Sequence, residues 1–149
     1  MNWQRLAGQM AGLITGLMVA SCAPDTSKIY DEGVLALQQG RPAEAVTKMN
    51  QVLKLRPNYL PAHEQRGIAY LKLGEYQSSV LDLTKALEAN QDNPVVLRHR
   101  AIAYFGLGRP EQGAADLCRA AEITKDAKVQ ENCANRQKAE ETPAPENPG

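Results

Sequence analysis

The sequence predicts an all-α chain: an α-solenoid of three helix-turn-helix units closed by a C-terminal capping helix. Three observations predict it. Residues 63–70 and 97–104 keep one register at a spacing of 34 residues, ending on Tyr70 and Tyr104. Gly40, Gly74 and Gly108 recur at the same spacing, as do the small residues Gly33, Gly67 and Ala101, and Ala45, Ser79 and Gly113. Larger apolar residues follow suit at Met49, Leu83 and Leu117. Self-similarity at a fixed period of this length marks a repeat array, in which each unit buries its apolar face only by stacking on the next.

Each unit reads as two helices. The first helices are expected over residues 27–39, 60–73 and 94–107, the second over 43–55, 76–89 and 111–124. Gly40, Gly74 and Gly108 close the first helices, because glycine accepts the left-handed backbone of a helix end. Pro42 and Pro110 suit the opening turn of a second helix, where a missing N–H costs nothing. Pro57 breaks the chain between the first and second units.

A charge pattern supports the hairpins independently. Arg66 and Asp82 lie 16 residues apart, as do Arg100 and Asp116; Glu32 and Lys48 hold the same positions with the signs exchanged. A pair that exchanges sign together is expected where the two residues face each other across antiparallel helices. Such a pair is costly to break if partly buried, and contributes about 0–1 kcal/mol if exposed. The partly buried case is the expectation here.

After the third unit, residues 127–138 keep a helical pattern but are much more polar, as a terminal cap requires. Residues 140–149 hold three prolines and no large apolar side chain, so a disordered tail is expected. The expected organisation is a leader over 1–21, a linker over 22–26, units over 27–59, 60–93 and 94–127, a cap over 128–139 and the tail.

The leader carries one early cation, Arg5, then a largely apolar run over residues 6–20 that is interrupted by Gln9 and short for a membrane span. It ends in Val19-Ala20-Ser21-Cys22. This resembles the lipobox of bacterial lipoproteins, in which the cysteine thiol receives a diacylglyceryl group and the signal is cut before it. The resemblance implies lipidation, with palmitate-type acyl chains, at Cys22. Small side chains at Ala20 and Ser21 let a peptidase reach the bond, and two or more acyl chains anchor a protein stably where one does not. The alternative is an ordinary secretory signal with a chance cysteine. Ala23 stands where proteobacterial inner-membrane lipoproteins resemble one another in an Asp, which favours the periplasmic face of the outer membrane in a host that has one.

Cys118 and Cys133 lie 15 residues apart, symmetric about the turn near Lys125 and Asp126. An exported chain meets an oxidising compartment, so a disulfide is expected, worth roughly 3 kcal/mol in the chain-entropy model; the alternative is two free thiols.

Other chemistry finds little support. Seventeen basic and 17 acidic residues are interspersed, giving no basic stripe and no nucleic-acid partner. No Cys-x-x-Cys, His-Glu-x-x-His or glycine-rich phosphate loop is present, so no catalytic, cofactor or metal site is expected. His63 and His99 are expected to be solvated or helix-flanking.

The residues at Gly33, Gly67 and Ala101, at Tyr70 and Tyr104, at Ala45 and Ser79, and at Ala86 and Ala120 resemble the tetratricopeptide repeat pattern. The resemblance spans residues 26–127; the first copy departs at Ala36, where the others have Tyr, and the third has Lys125 in place of a closing proline. It implies a right-handed solenoid whose first helices line a groove for peptides or partner helices. Carried onto this chain, the groove columns are Val34, Ile68 and Ile102, and Leu37, Leu71 and Phe105, with Tyr30, Gln38, Glu64, Lys72 and Arg98 as polar neighbours. The carboxylate-clamp type uses Asn and Lys where this chain has Val34, Ile68 and Ile102, which disfavours acidic C-termini and favours an amphipathic helix or apolar segment. The alternative is that the columns are partly core or covered.

The resemblances together imply a non-enzymatic, lipid-anchored adaptor holding a protein partner in the bacterial envelope, in a secretin, pilus or peptidoglycan-enzyme assembly. A self-associating lipoprotein with no separate client is the second reading.

Overall fold

The computed structural model describes residues 25–141, with side chains as far as residue 135. The expected leader, Cys22 as the expected lipidation site, and the tail from residue 142 lie outside the described residues. Within them the chain forms seven helices and no strand: α1 (Thr26–Gln38), α2 (Pro42–Leu55), α3 (Leu60–Leu73), α4 (Tyr76–Ala86), α5 (Pro94–Gly106), α6 (Pro110–Thr124) and α7 (Ala127–Glu141).

The helix ends follow local chemistry. The Asp25 carboxylate accepts from the Ser27 and Lys28 N–H groups at 3.0 and 3.3 Å, and Asn93 Oδ1 accepts from Val95 and Val96 N–H in the same way. Gly40, Gly74 and Gly108 adopt φ of 72°, 77° and 68°, the left-handed backbone expected of them. Two boundaries differ from expectation by more than one residue. Helix α4 stops at Ala86: beyond the buried Leu87 the chain runs into the mostly polar stretch 88–93, where Asn90 Oδ1 accepts from Asp92 N–H at 3.1 Å, a local turn that competes with helix. Helix α7 runs to Glu141, two residues past the expected cap and into the expected tail, through the helix-forming run at 138–141; Pro143 follows just beyond.

Helices pair as α1–α2, α3–α4 and α5–α6, and the units stack through α2 on α3, α4 on α5 and α6 on α7. Within a pair the axes approach closely at the small residues. A Cβ on Gly67 would lie 2.8 Å from Leu83 Cγ, and Ser79 in the same crossing donates its hydroxyl to the Gly67 carbonyl at 2.8 Å. Among the described residues the buried side chains form three clusters. One holds Met49, Val52, Leu53 and Ala62; the second Ala36, Leu37, Ala45 and Ala69; the third Leu83, Leu87, Val96, Leu97 and Ala120. All three join successive units, as a repeat array requires.

Candidate protein-binding face

The exchanged charge pairs close all three hairpins. Lys48 Nζ donates to Glu32 at 2.6 Å. Arg66 donates from Nε and Nη2 to the two Asp82 oxygens at 2.6 and 2.7 Å, and Arg100 does the same to Asp116 at 2.7 and 2.8 Å. Asp82 and Asp116 are buried, whereas Glu32 and Lys48 stay partly exposed. The third guanidinium nitrogen reaches back to the preceding unit. Arg66 Nη1 donates to Asn50 Oδ1 at 2.6 Å, and Arg100 Nη1 to Thr84 Oγ1 at 3.2 Å. Each arginine therefore ties three helices together.

The last junction is built differently. The position of Asn50 and Thr84 is occupied in α6 by Cys118, and Cys118 is joined to Cys133 of α7 by a disulfide, Cα–Cα 5.8 Å. In the repeat register, Val96 and Leu97 of α5 become Gln130 and Glu131 of α7. The buried pair that seals the previous junction is thus polar in the last one. Gln130 instead donates to the Ala121 carbonyl at 3.1 Å. Among the described residues α7 packs on α6 and makes no contact with α5, although α1 meets α3 and α3 meets α5.

That difference divides the expected groove columns. Val34 and Tyr30 pack against the cluster of Met49, Val52, Leu53 and Ala62, and Leu37 is buried in the second cluster. Ile68 packs against the second and third clusters, the latter holding Val96 and Leu97 of the next unit. Leu71 is half-buried. Val34, Leu37, Ile68 and Tyr30 are therefore packing residues rather than an open column, because the next unit covers them. Among the described residues large apolar side chains stand exposed singly on α1, α2, α3, α4 and α6, whereas α5 gathers three: Ile102 is 51% exposed, Val95 44% and Phe105 43%. The spacings of seven and three residues put them on one helical face. Phe105 also serves the hairpin, since a Cβ on Gly113 would lie 2.9 Å from its ring.

The charges around this face are graded. Arg98 and Lys72 are exposed and make no ion pair among the described residues. His99 lies beside them on α5 with Nδ1 buried and unpartnered. Burial holds its ring below the ordinary histidine range against an opposing pull from the Val95 backbone, and the Arg98 and Lys72 charges reinforce burial. Toward α1 the sign reverses: burial raises the Glu64 carboxyl above its usual range, and raises Tyr30 with help from Tyr59, Glu64 and Asp31. Tyr30 meets Tyr59 edge-on with ring centroids 5.6 Å apart.

Of the two expectations for the histidines, the solvated one does not hold: both are partly buried. His63 sets Nδ1 2.9 Å from Asp82 Oδ1 and Nε2 3.0 Å from the Pro57 carbonyl oxygen, bridging a loop to the Arg66–Asp82 pair. Among the described residues no group of three or more His, Cys, Asp and Glu side chains could hold a metal ion. No described helix is long and apolar enough to cross a membrane.

The sequence columns missed Val95. The signal that separates α5 from α1 and α3 lies downstream, in Gln130 and Glu131, which cannot cover Ile102.

Comparison with known proteins agrees with this architecture. A family model described as tetratricopeptide repeat matches residues 30–94 and 64–128. Sperm-associated antigen 1 of Rattus norvegicus is 28% identical over 79 residues, 49% of this chain but only 9% of that protein's length. The Arabidopsis OM64 TPR domain superposes with a TM-score of 0.66 at 23% identity, covering 74% of this chain and 92% of that one. The first TPR of Spaghetti (RPAP3), solved bound to an HSP90 peptide SRMEEVD, gives 0.65 at 19% identity, covering 78% and 94%. Repeat proteins of this kind are generally non-enzymatic scaffolds for protein–protein interaction. With matches running over all three hairpins, the chain belongs to the tetratricopeptide repeat family.

Proposed function

We propose that the chain is a lipid-anchored adaptor of the bacterial envelope, held by acyl chains on Cys22 at the periplasmic face of the outer membrane, and that it grips a protein partner through α5. The partner belongs to an envelope assembly of the secretin, pilus or peptidoglycan-enzyme type. One observation carries the binding reading: Val95, Ile102 and Phe105 stand exposed on one helical face beside two unpaired cations. Exposed apolar side chains gathered on one face, rather than scattered singly, mark an interaction site. The solved RPAP3 domain with its HSP90 peptide is a precedent for peptide binding on this fold. The anchor is supported by Val19-Ala20-Ser21-Cys22.

Two variants of the full chain in its native host test the two halves. Cys22→Ser moves the protein from the membrane to the soluble fraction and abolishes palmitate labelling; unchanged fractionation and labelling contradict the anchor. Affinity capture with Ile102→Glu loses the partner that the wild type retains. Self-association replaces the adaptor reading if the purified wild type shows a concentration-dependent mass that Ile102→Glu abolishes.

A further inference from the structure

We infer that the exposed face of α5 receives an amphipathic helix whose apolar stripe is flanked by acidic side chains, an inference that rests on the protein-binding reading above. The apolar half follows from the repeat. At the complete junction Ile68 is covered by the cluster containing Val96 and Leu97, two adjacent apolar residues on an incoming helix. The equivalent Ile102 is left 51% exposed because α7 brings Gln130 and Glu131 instead. A helix with large apolar side chains at i, i+3, i+4 and i+7 supplies what α7 lacks.

The charge of the partner follows from what surrounds the stripe. Arg98 shares the stripe's face, three residues after Val95 and four before Ile102, and Lys72 lies in the last turn of α3, which meets α5; both are exposed and neither has an ion-pair partner among the described residues. Both charges disfavour protonation of His99 on α5. Such cations raise the association rate and fix the orientation of an acidic partner, and repel a basic one.

Two other occupants fit less well. A second copy docked face to face through α5 would gather Lys72 and Arg98 of both copies in one interface, because a two-fold interface joins a patch to itself. A short acidic tail without apolar side chains would leave Val95, Ile102 and Phe105 in water.

The test uses the purified full chain and two fluorescent helical peptides with the same leucine stripe, one flanked by Glu and one by Lys. The Glu-flanked peptide is expected to bind about tenfold more tightly or better at low salt, with the gap closing in high salt. Ile102→Glu should abolish its binding, and Lys72→Glu/Arg98→Glu should invert the preference. These positions are exposed, so circular dichroism of the variants should match the wild type. Equal binding of both peptides, a preference that survives the double charge reversal, equal binding of a Glu-rich peptide lacking leucines, or binding of neither peptide would each overturn the inference. Capture of a native partner through α5 by a basic or uncharged helix overturns it too, while leaving the adaptor reading standing. Absence of any native partner instead removes that underlying reading.

Discussion

Ile68 and Ile102 occupy one register 34 residues apart on successive first helices, yet Ile68 is packed against the cluster that holds Val96 and Leu97 and Ile102 stands half in solvent. The two isoleucines have the same sequence surroundings, both preceding Ala-Tyr. Their difference lies in the helix that follows.

Truncating each isoleucine measures that difference. Ile68→Ala should lower stability by about 2–4 kcal/mol, since it removes packing between two clusters. Ile102→Ala should change it by less than about 0.5 kcal/mol. Urea denaturation with unchanged slopes reads both, and equal losses would mean that α5 is covered after all.

The ion pairs should differ in the same graded way. Asp82→Ala strands Arg66 and removes the acceptor beside His63 Nδ1, so a loss of about 3 kcal/mol is expected; Lys48→Ala, in the more exposed pair, should cost less than about 1 kcal/mol. Exchanging charges tests the pairing itself. Arg100→Asp/Asp116→Arg should recover most of the stability lost in either single variant, because Thr84 can donate to an aspartate as readily as it accepts from Arg100. Arg66→Asp/Asp82→Arg should recover less, because it sets an arginine against His63. A double-mutant cycle showing no recovery at 100 and 116 would contradict the hairpin pairing.

His99 predicts a pH response. Its folded ring is held below the ordinary histidine range, chiefly by burial. As pH falls through about 6.5, the unfolded chain takes up a proton that the folded ring resists. Its contribution is therefore complete above that pH and is lost as pH drops toward the folded value. His99→Gln, which matches Gln65 in register, should flatten the decline in stability between pH 7 and pH 5 relative to wild type. Parallel curves would show that His99 does not carry it.

The cap should depend on its covalent tie. Val129, Gln130 and Cys133 are only partly buried, so α7 contributes little apolar packing of its own. Reducing Cys118–Cys133 should remove roughly 3 kcal/mol of loop-closure stabilisation. Hydrogen exchange should then show protection lost across α7 while α3 and α5 keep theirs. Retained protection in α7 would mean that packing alone holds it.

Much of this was legible from residue spacing. The 34-residue register fixed three hairpins, Gly40, Gly74 and Gly108 marked the first-helix ends, and the exchanged Glu32 and Lys48 identified which helices face each other. Exposure was not legible in the same way, because periodicity places Val34, Ile68 and Ile102 on one column and is silent about what covers each. Only Gln130 and Glu131, outside the three units, distinguish the last position. His63 was misjudged for a related reason: its partners, the Pro57 carbonyl and Asp82, come together only when the loop folds over the hairpin.

The most direct test of α5 as the binding face is photo-crosslinking in the native host from position 102, with Leu81 as a control. Leu81 is the more exposed of the two at 64%, and it lies on α4. A discrete partner captured from position 102 and absent from position 81 is the expected result. The same products from both positions, or none from 102, would contradict it.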